Sequence, residues 1–265
     1  MSNIRHRLLL VLCIFLVGQV PELVLAENLS ETSSIYSGVH VDQVKESESD
    51  IEIKGIDSIG SILEDRIEPD DATIRQTALN VVIDYPGDNT IEKVSAIFEY
   101  LRDGWVYIRD PRGKDYFNYA NQSLIIGDKA GHIAAGDSDD FAILMSSLVE
   151  SIGGTTRIIL ARNNTTGGHA YSEVYLGQLG APDNQIEEII NWLKQKYNTD
   201  RIYTHIDSDT KDVWLNLDWS ADERGNSHPG GPFFLGDSHY IIVPRENFAK
   251  TKLNLPENLT YYRPT

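Results

Sequence analysis

The chain has 265 residues, 41% of them hydrophobic, and carries 23 basic against 40 acidic side chains, a formal net charge of −17. That length holds one large domain with extensions and a sizeable core. So large a negative excess argues against nucleic acid or an anionic membrane surface as a partner.

Residues 1–26 read as a secretory signal peptide. Arg5 and Arg7 precede an apolar run, Leu8 to Val17, that is too short to span a bilayer. Pro21 and Glu22 break the run, and Val24-Leu25-Ala26 places a small residue at the cleavage position; an uncleaved anchor is the alternative. Cys13 lies inside the apolar run without the small residues that a lipoprotein signal places before its cysteine. Cleavage removes Arg5, Arg7 and Glu22 and leaves 21 basic and 39 acidic residues, a net charge of −18. Cys13 is the one cysteine, so the cleaved chain has no disulfide, no thiol nucleophile and no thiolate metal ligand. The expected location is secreted or extracytoplasmic, with no membrane span after cleavage.

Residues 27–69 are polar and acidic and read as a flexible linker, with a short strand near Ile51–Ile53. Residues 70–250 form the expected domain, and residues 251–265 a C-terminal tail. Pro69-Asp70-Asp71 opens a helix through Ile74, Ala78, Val81 and Val82. Asn89-Thr90 opens a second, with Ile91, Val94, Ile97, Phe98 and Leu101 at helical spacing, and Gly104 stops it. Trp105 to Ile108 is strand-like, and Asp110-Pro111-Arg112-Gly113 is a turn. A third helix starts at Ser138, with Asp137 as its cap and Phe141, Leu144, Met145, Leu148 and Ile152 on one apolar face; Gly153-Gly154 ends it. Thr155 to Leu160 and His169 to Leu176 read as a hairpin of strands. Asn184 to Tyr197 is an amphipathic helix. Ile202 to Ile206 pairs with Val213 to Trp219, and Tyr240 to Val243 is a last strand. Helices first and strands after them indicate an α+β fold, with N-terminal helices packed on an antiparallel sheet.

Three positions can carry chemistry. Ser138 stands at a helix start, where outward-pointing amides favour developing negative charge. His169 follows Gly167-Gly168 at the start of a strand. Asp218 lies near the end of another, on a face shared with Trp214 and Asn216. A nucleophile, a base and a carboxylate that orients the base are the parts of acyl transfer. His132 and His228 read as loop residues, and Trp105, Trp214 and Trp219 as core or cleft wall. Asn28, Asn121, Asn163, Asn164 and Asn258 open N-x-S/T sequons, which matter only in a host that glycosylates.

Gly136-Asp137-Ser138-Asp139-Asp140 resembles the Gly-Asp-Cys-Asp-Asp motif of the transglutaminase-like superfamily, papain-like folds with a Cys-His-Asp triad. Gly168-His169-Ala170 and the apolar strand leading to Asp218 resemble its second and third landmarks. Tyr107 to Gly113, leading to Tyr116-Phe117, is similar to bacterial members. The resemblance covers about residues 72–245, with the helix at Asn184–Tyr197 as an insertion. It implies a triad at Ser138, His169 and Asp218, with serine where the family has its nucleophilic cysteine.

A serine hydroxyl is far less acidic than a thiol and needs His169 to take its proton during attack. Asp137, Asp139 and Asp140 beside it oppose an alkoxide. One reading is therefore a non-catalytic relative that binds a peptide, protein or cell-envelope ligand. The other is a serine-dependent hydrolase or acyltransferase, with the Ser138 N–H as one oxyanion donor and Tyr116 or Asn121 as candidates for the second. No cofactor is expected. A cation at Asp137, Asp139 and Asp140, or at Asp207, Asp209 and Asp212, is a third reading; the second cluster lacks the glycine of an EF-hand loop, and the overall expectation is of no metal.

Overall fold

The computed structural model describes residues 39–42, 59–111, 114–220, 226–242 and 250–256. The expected signal peptide, the strand expected near Ile51–Ile53, Arg112 and Gly113, and the last residues of the expected tail lie outside the described residues.

The core is built around one helix, here called α5 (Ser138–Ser151), because its sequence is apolar almost all round. From Asp140 to Val149 every residue is buried, including Ser146 and Ser147. The single apolar face expected from the spacing is therefore too narrow a description. A helix buried on all sides needs partners on all sides. On one side lie α1 (59–66), α2 (Ala72–Val82), α3 (Ile91–Gly104) and α4 (Ala120–Lys129). Asp71 starts α2 by accepting the Thr73 and Ile74 amides at 2.8 and 3.1 Å. Helix α3 buries Ile91, Val94, Ile97, Phe98 and Leu101, as its periodicity requires.

On the other side lies a six-stranded sheet of order β1-β6-β7-β5-β4-β8. Its strands are β1 (Val39–Asp42), β4 (Thr156–Asn163), β5 (Gly167–Gln178), β6 (Ile202–Ile206), β7 (Asp212–Asn216) and β8 (Ser238–Ile242). Strands β4 and β5 form the expected hairpin, with Ala161 opposite His169, and β6 pairs antiparallel with β7. Only β1 runs parallel to its neighbour. A separate parallel pair joins β2 (Trp105–Tyr107) to β3 (Ala134–Gly136). Helix α6 (Ile186–Tyr197) buries Ile186, Ile189, Ile190, Trp192 and Leu193. No described helix is long and apolar enough to cross a membrane.

Alternation along β5 divides its side chains between two faces. Ala170, Val174 and Leu176 join the main core, and Ser172 meets Ser146 of α5 at 2.9 Å. His169, Tyr171 and Glu173 point to the opposite face. There Ile159, Ala161, Tyr171 and Phe233 form a smaller cluster, with Tyr203 and Phe234 packed against it. Beside it Glu173 is fully enclosed by Arg157 at 2.7 Å and by His205.

Both expected margins of the domain shift. Leu63 of α1 is fully buried, the Glu68 amide donates to Ser147 at 3.0 Å, and Arg66 lies over the Tyr119 ring. The linker reading of residues 27–69 therefore fails from residue 59 onward, because α1 carries an apolar residue that the helical layer needs. At the other end residues 250–256 cross the start of α3 as a strap. Asn254 exchanges backbone hydrogen bonds with Asn89 and Ile91 at 2.9 Å each, and Leu253 is fully buried.

Candidate functional site

The start of α5 is held by its own carboxylates. Asp137 and Asp140 form a capping box, in which Asp140 Oδ2 accepts the Asp137 amide at 3.3 Å. Asp140 also accepts the Asn118 amide at 2.8 Å and the Asn118 side-chain amide at 2.7 Å. It thereby ties the segment leading into α4 to the turn that presents Ser138. Gly136 is required by close approach, since a Cβ there would collide with the Asp140 side chain. The neighbouring strand lies alongside, with Tyr107 opposite Gly136 and the Ile108 amide donating to Gly136 O at 2.8 Å. Beneath the turn, Phe141 packs edge-on to Trp105 at 5.1 Å and against Trp219 at 5.2 Å.

His169 Nε2 lies 2.9 Å from Asp218 Oδ2. Asp218 is 1% exposed, and its other oxygen accepts the Ser220 amide at 2.9 Å. Asn216 Oδ1 accepts the Asp218 amide at 2.9 Å, while Asn226 donates to Asp218 O at 2.6 Å. Both carboxylate oxygens and both backbone polar groups of Asp218 thus have partners, which fixes the carboxylate and the ring nitrogen it engages. With Nε2 engaged, Nδ1 is the ring nitrogen left for a reaction partner.

Ser138 Oγ accepts the Ala170 backbone amide at 3.4 Å. The fold thus brings Ser138 next to the residue that follows His169. Among the described residues its hydroxyl bonds to that amide and not to the imidazole.

The acidic residues at the turn are electrostatically costly. Burial pushes the Asp139 carboxyl well above its usual range, and the Asp137 charge adds to this. Burial also raises Asp137, with Asp110 and Asp115 contributing, and lifts Asp140 to about 6 against the pull of Asn118. Oxygens of Asp137, Asp139 and Asp140 lie within 4.8 Å of one another. Asp140 already spends both of its oxygens on Asn118 and Asp137. In the second acidic group, Asp207 is held by Arg157 and Trp214, and Asp212 by Lys250 and Tyr175.

Other expectations move. Trp214 does not wall His169; its ring lies under the Arg157 guanidinium at 4.4 Å and packs at a tilt against Tyr175 at 5.2 Å. The rings against His169 are Phe234 at 4.7 Å and Tyr171 at 5.9 Å. Asn121 is directed to Asp71 at 3.2 Å, and the side chain of that segment that reaches the turn is Asn118. His132 is exposed, and His228 stacks on Tyr197 at 5.1 Å. Asn118, Asn226 and Phe234 have no sequence signal, since each depends on loops whose path is set by tertiary contacts. Asn216 has one, in its place two residues before Asp218.

The sequence model of the transglutaminase-like superfamily matches residues 77–185. That span includes Ser138 and His169 and ends before α6 and Asp218. No curated protein matches the chain. A solved structure it resembles is that of a candidate cysteine protease from Cytophaga hutchinsonii, 21% identical over 40% of this chain, with a TM-score of 0.32. The chain spans 34% of that protein's length. Helices on one side of α5 and a mostly antiparallel sheet on the other make an α+β core, and residues 77–185 within it are similar to the transglutaminase-like superfamily.

Proposed function

We propose that this is an exported transglutaminase-like domain that binds a peptide or cell-envelope ligand at the Ser138–His169–Asp218 cleft and does not turn it over. The observation that carries the reading is the Ser138 hydroxyl, which accepts from the Ala170 amide at 3.4 Å and makes no bond to His169. A serine nucleophile depends on an adjacent base, because its own hydroxyl stays protonated. The buried carboxylates at Asp137 and Asp139 work further against an alkoxide at this turn. The N-terminal segment, with its basic start and short apolar run, supports export.

Fluorescence anisotropy with labelled casein peptides, and cosedimentation with purified cell-wall sacculi, test the binding reading. Ser138→Ala is expected to keep the wild-type affinity within about twofold, while His169→Ala, in the wall of the cleft, loses roughly tenfold or more. A large loss in Ser138→Ala, or no binding of either probe by the wild-type chain, contradicts it.

The second reading, a serine-dependent hydrolase or acyltransferase, is favoured by one observation, the intact His169–Asp218 pair at 2.9 Å. Hydrogen bonds of a resting site can tighten when substrate arrives. Ester or amide turnover that disappears in Ser138→Ala decides for this reading.

A further inference from the structure

We infer that Phe234 is a positioning residue for His169, a ring that covers the His169–Asp218 hydrogen bond and keeps water from it. The inference deepens the reading of this pair as the centre of the cleft and rests on it. The Phe234 ring centroid stands 4.7 Å from that of His169, with 36° between the planes, and the imidazole is only 8% exposed. Tyr171 supports the imidazole at 5.9 Å.

Phe234 is not placed as a core residue is. It is half-buried at the margin of the smaller cluster, while its neighbour Phe233 is buried and stacks on His205 at 4.0 Å. Leu235, on its other side, is 83% exposed. An apolar residue between these two would be free to turn outward if its backbone were free. The backbone is held on both sides. Before it, Pro232 O accepts from Asn216 at 3.1 Å and Asn226 at 3.0 Å, the two side chains that also fix Asp218. After it, Leu235 O accepts from Asn163 at 2.7 Å, and the Asp237 amide donates to Arg162 O at 2.6 Å. The residues that orient the carboxylate thus also seat the ring that covers the imidazole. A hydrogen bond shielded from water is stronger and more closely directed than one open to it, and an aromatic face restricts the imidazole plane.

The test is proton NMR of the cleaved chain with 15N-labelled histidine. The expected result is a far-downfield Nε2–H signal, assigned by its loss in His169→Ala. In Phe234→Ala that proton should exchange with water roughly tenfold faster, or broaden away, while the amide spectrum stays folded. Phe234→Tyr, which keeps the ring, should restore wild-type exchange, and Phe234→Leu should fall between. The leucine variant decides the matter if the alanine variant does not fold. Equal exchange in wild type and the alanine or leucine variant, or no such signal in wild type, overturns the inference. None of these readouts uses a ligand or turnover, so they stand apart from success or failure of the binding assays.

Discussion

At position 138 a hydroxyl stands in a setting that favours negative charge through helix amides and opposes it through carboxylates. The opposing side is visible in Asp137, Asp139 and Asp140, all raised by burial in the folded chain. A carboxyl whose folded value is raised contributes its full stability below the unfolded value and loses it as pH rises through the folded value. The turn is therefore least favourable near neutral pH, and one neutral substitution should relieve it. Asp139→Asn is expected to stabilise the chain at pH 7 by about 1 kcal/mol or more, and the gain should vanish toward pH 4. Thermal denaturation of both chains across that range checks it; a destabilised variant at pH 7 would contradict the electrostatic account. Stability given up at one turn is a mark of functional sites, where charge is arranged for a ligand and not for folding.

Elements with strong local signals are legible in the amino-acid sequence. The caps at Asp71 and Thr90, the period of α3, and the β4–β5 hairpin all follow from residues close together along the chain. So does the order Ser138, His169, Asp218, which the fold brings into one region. What is not legible depends on long-range placement. Helix α1 and the 250–256 strap are short, and Leu63 and Leu253, with Ile59 and Leu255 packed beside them, show only once the core exists that each segment fills a position in it. Leu253→Ala is expected to lower unfolding stability by about 2–4 kcal/mol, as loss of a fully buried side chain does. Leu235→Ala, at 83% exposure, should stay within about 0.5 kcal/mol. Urea denaturation compares them, and equal effects would mean that the strap is not part of the cooperative unit. The cover on His169 belongs to the same class. Nothing local to Phe234 points at residue 169; the link runs through Asn216 and Asn226, which both bond to Pro232 O and to the backbone of Asp218.

Across the whole molecule two sets of buried charge pull stability in opposite directions with pH. Asp140 loses its contribution as pH rises through about 6, and Asp137 and Asp139, both raised by burial, act in the same direction. Glu173 behaves oppositely. Burial alone would raise it, but His205 and Arg157 outweigh burial and lower it, so its contribution is present above the unfolded value and lost as pH falls through the folded one. Above about pH 5 the Glu173 contribution no longer changes and only the turn still loses stability, so these groups predict stability that falls toward neutral pH; a urea midpoint that rises steadily from pH 5 to pH 8 would contradict this. The proposed binding role rests on this pairing of an intact His169–Asp218 bond with a Ser138 hydroxyl that accepts from the Ala170 amide. The most direct measurement is labelling of the chain from residue 27 onward with a fluorophosphonate probe, with Ser138→Ala as control. The account predicts no labelling above that control; labelling that depends on Ser138 would contradict it.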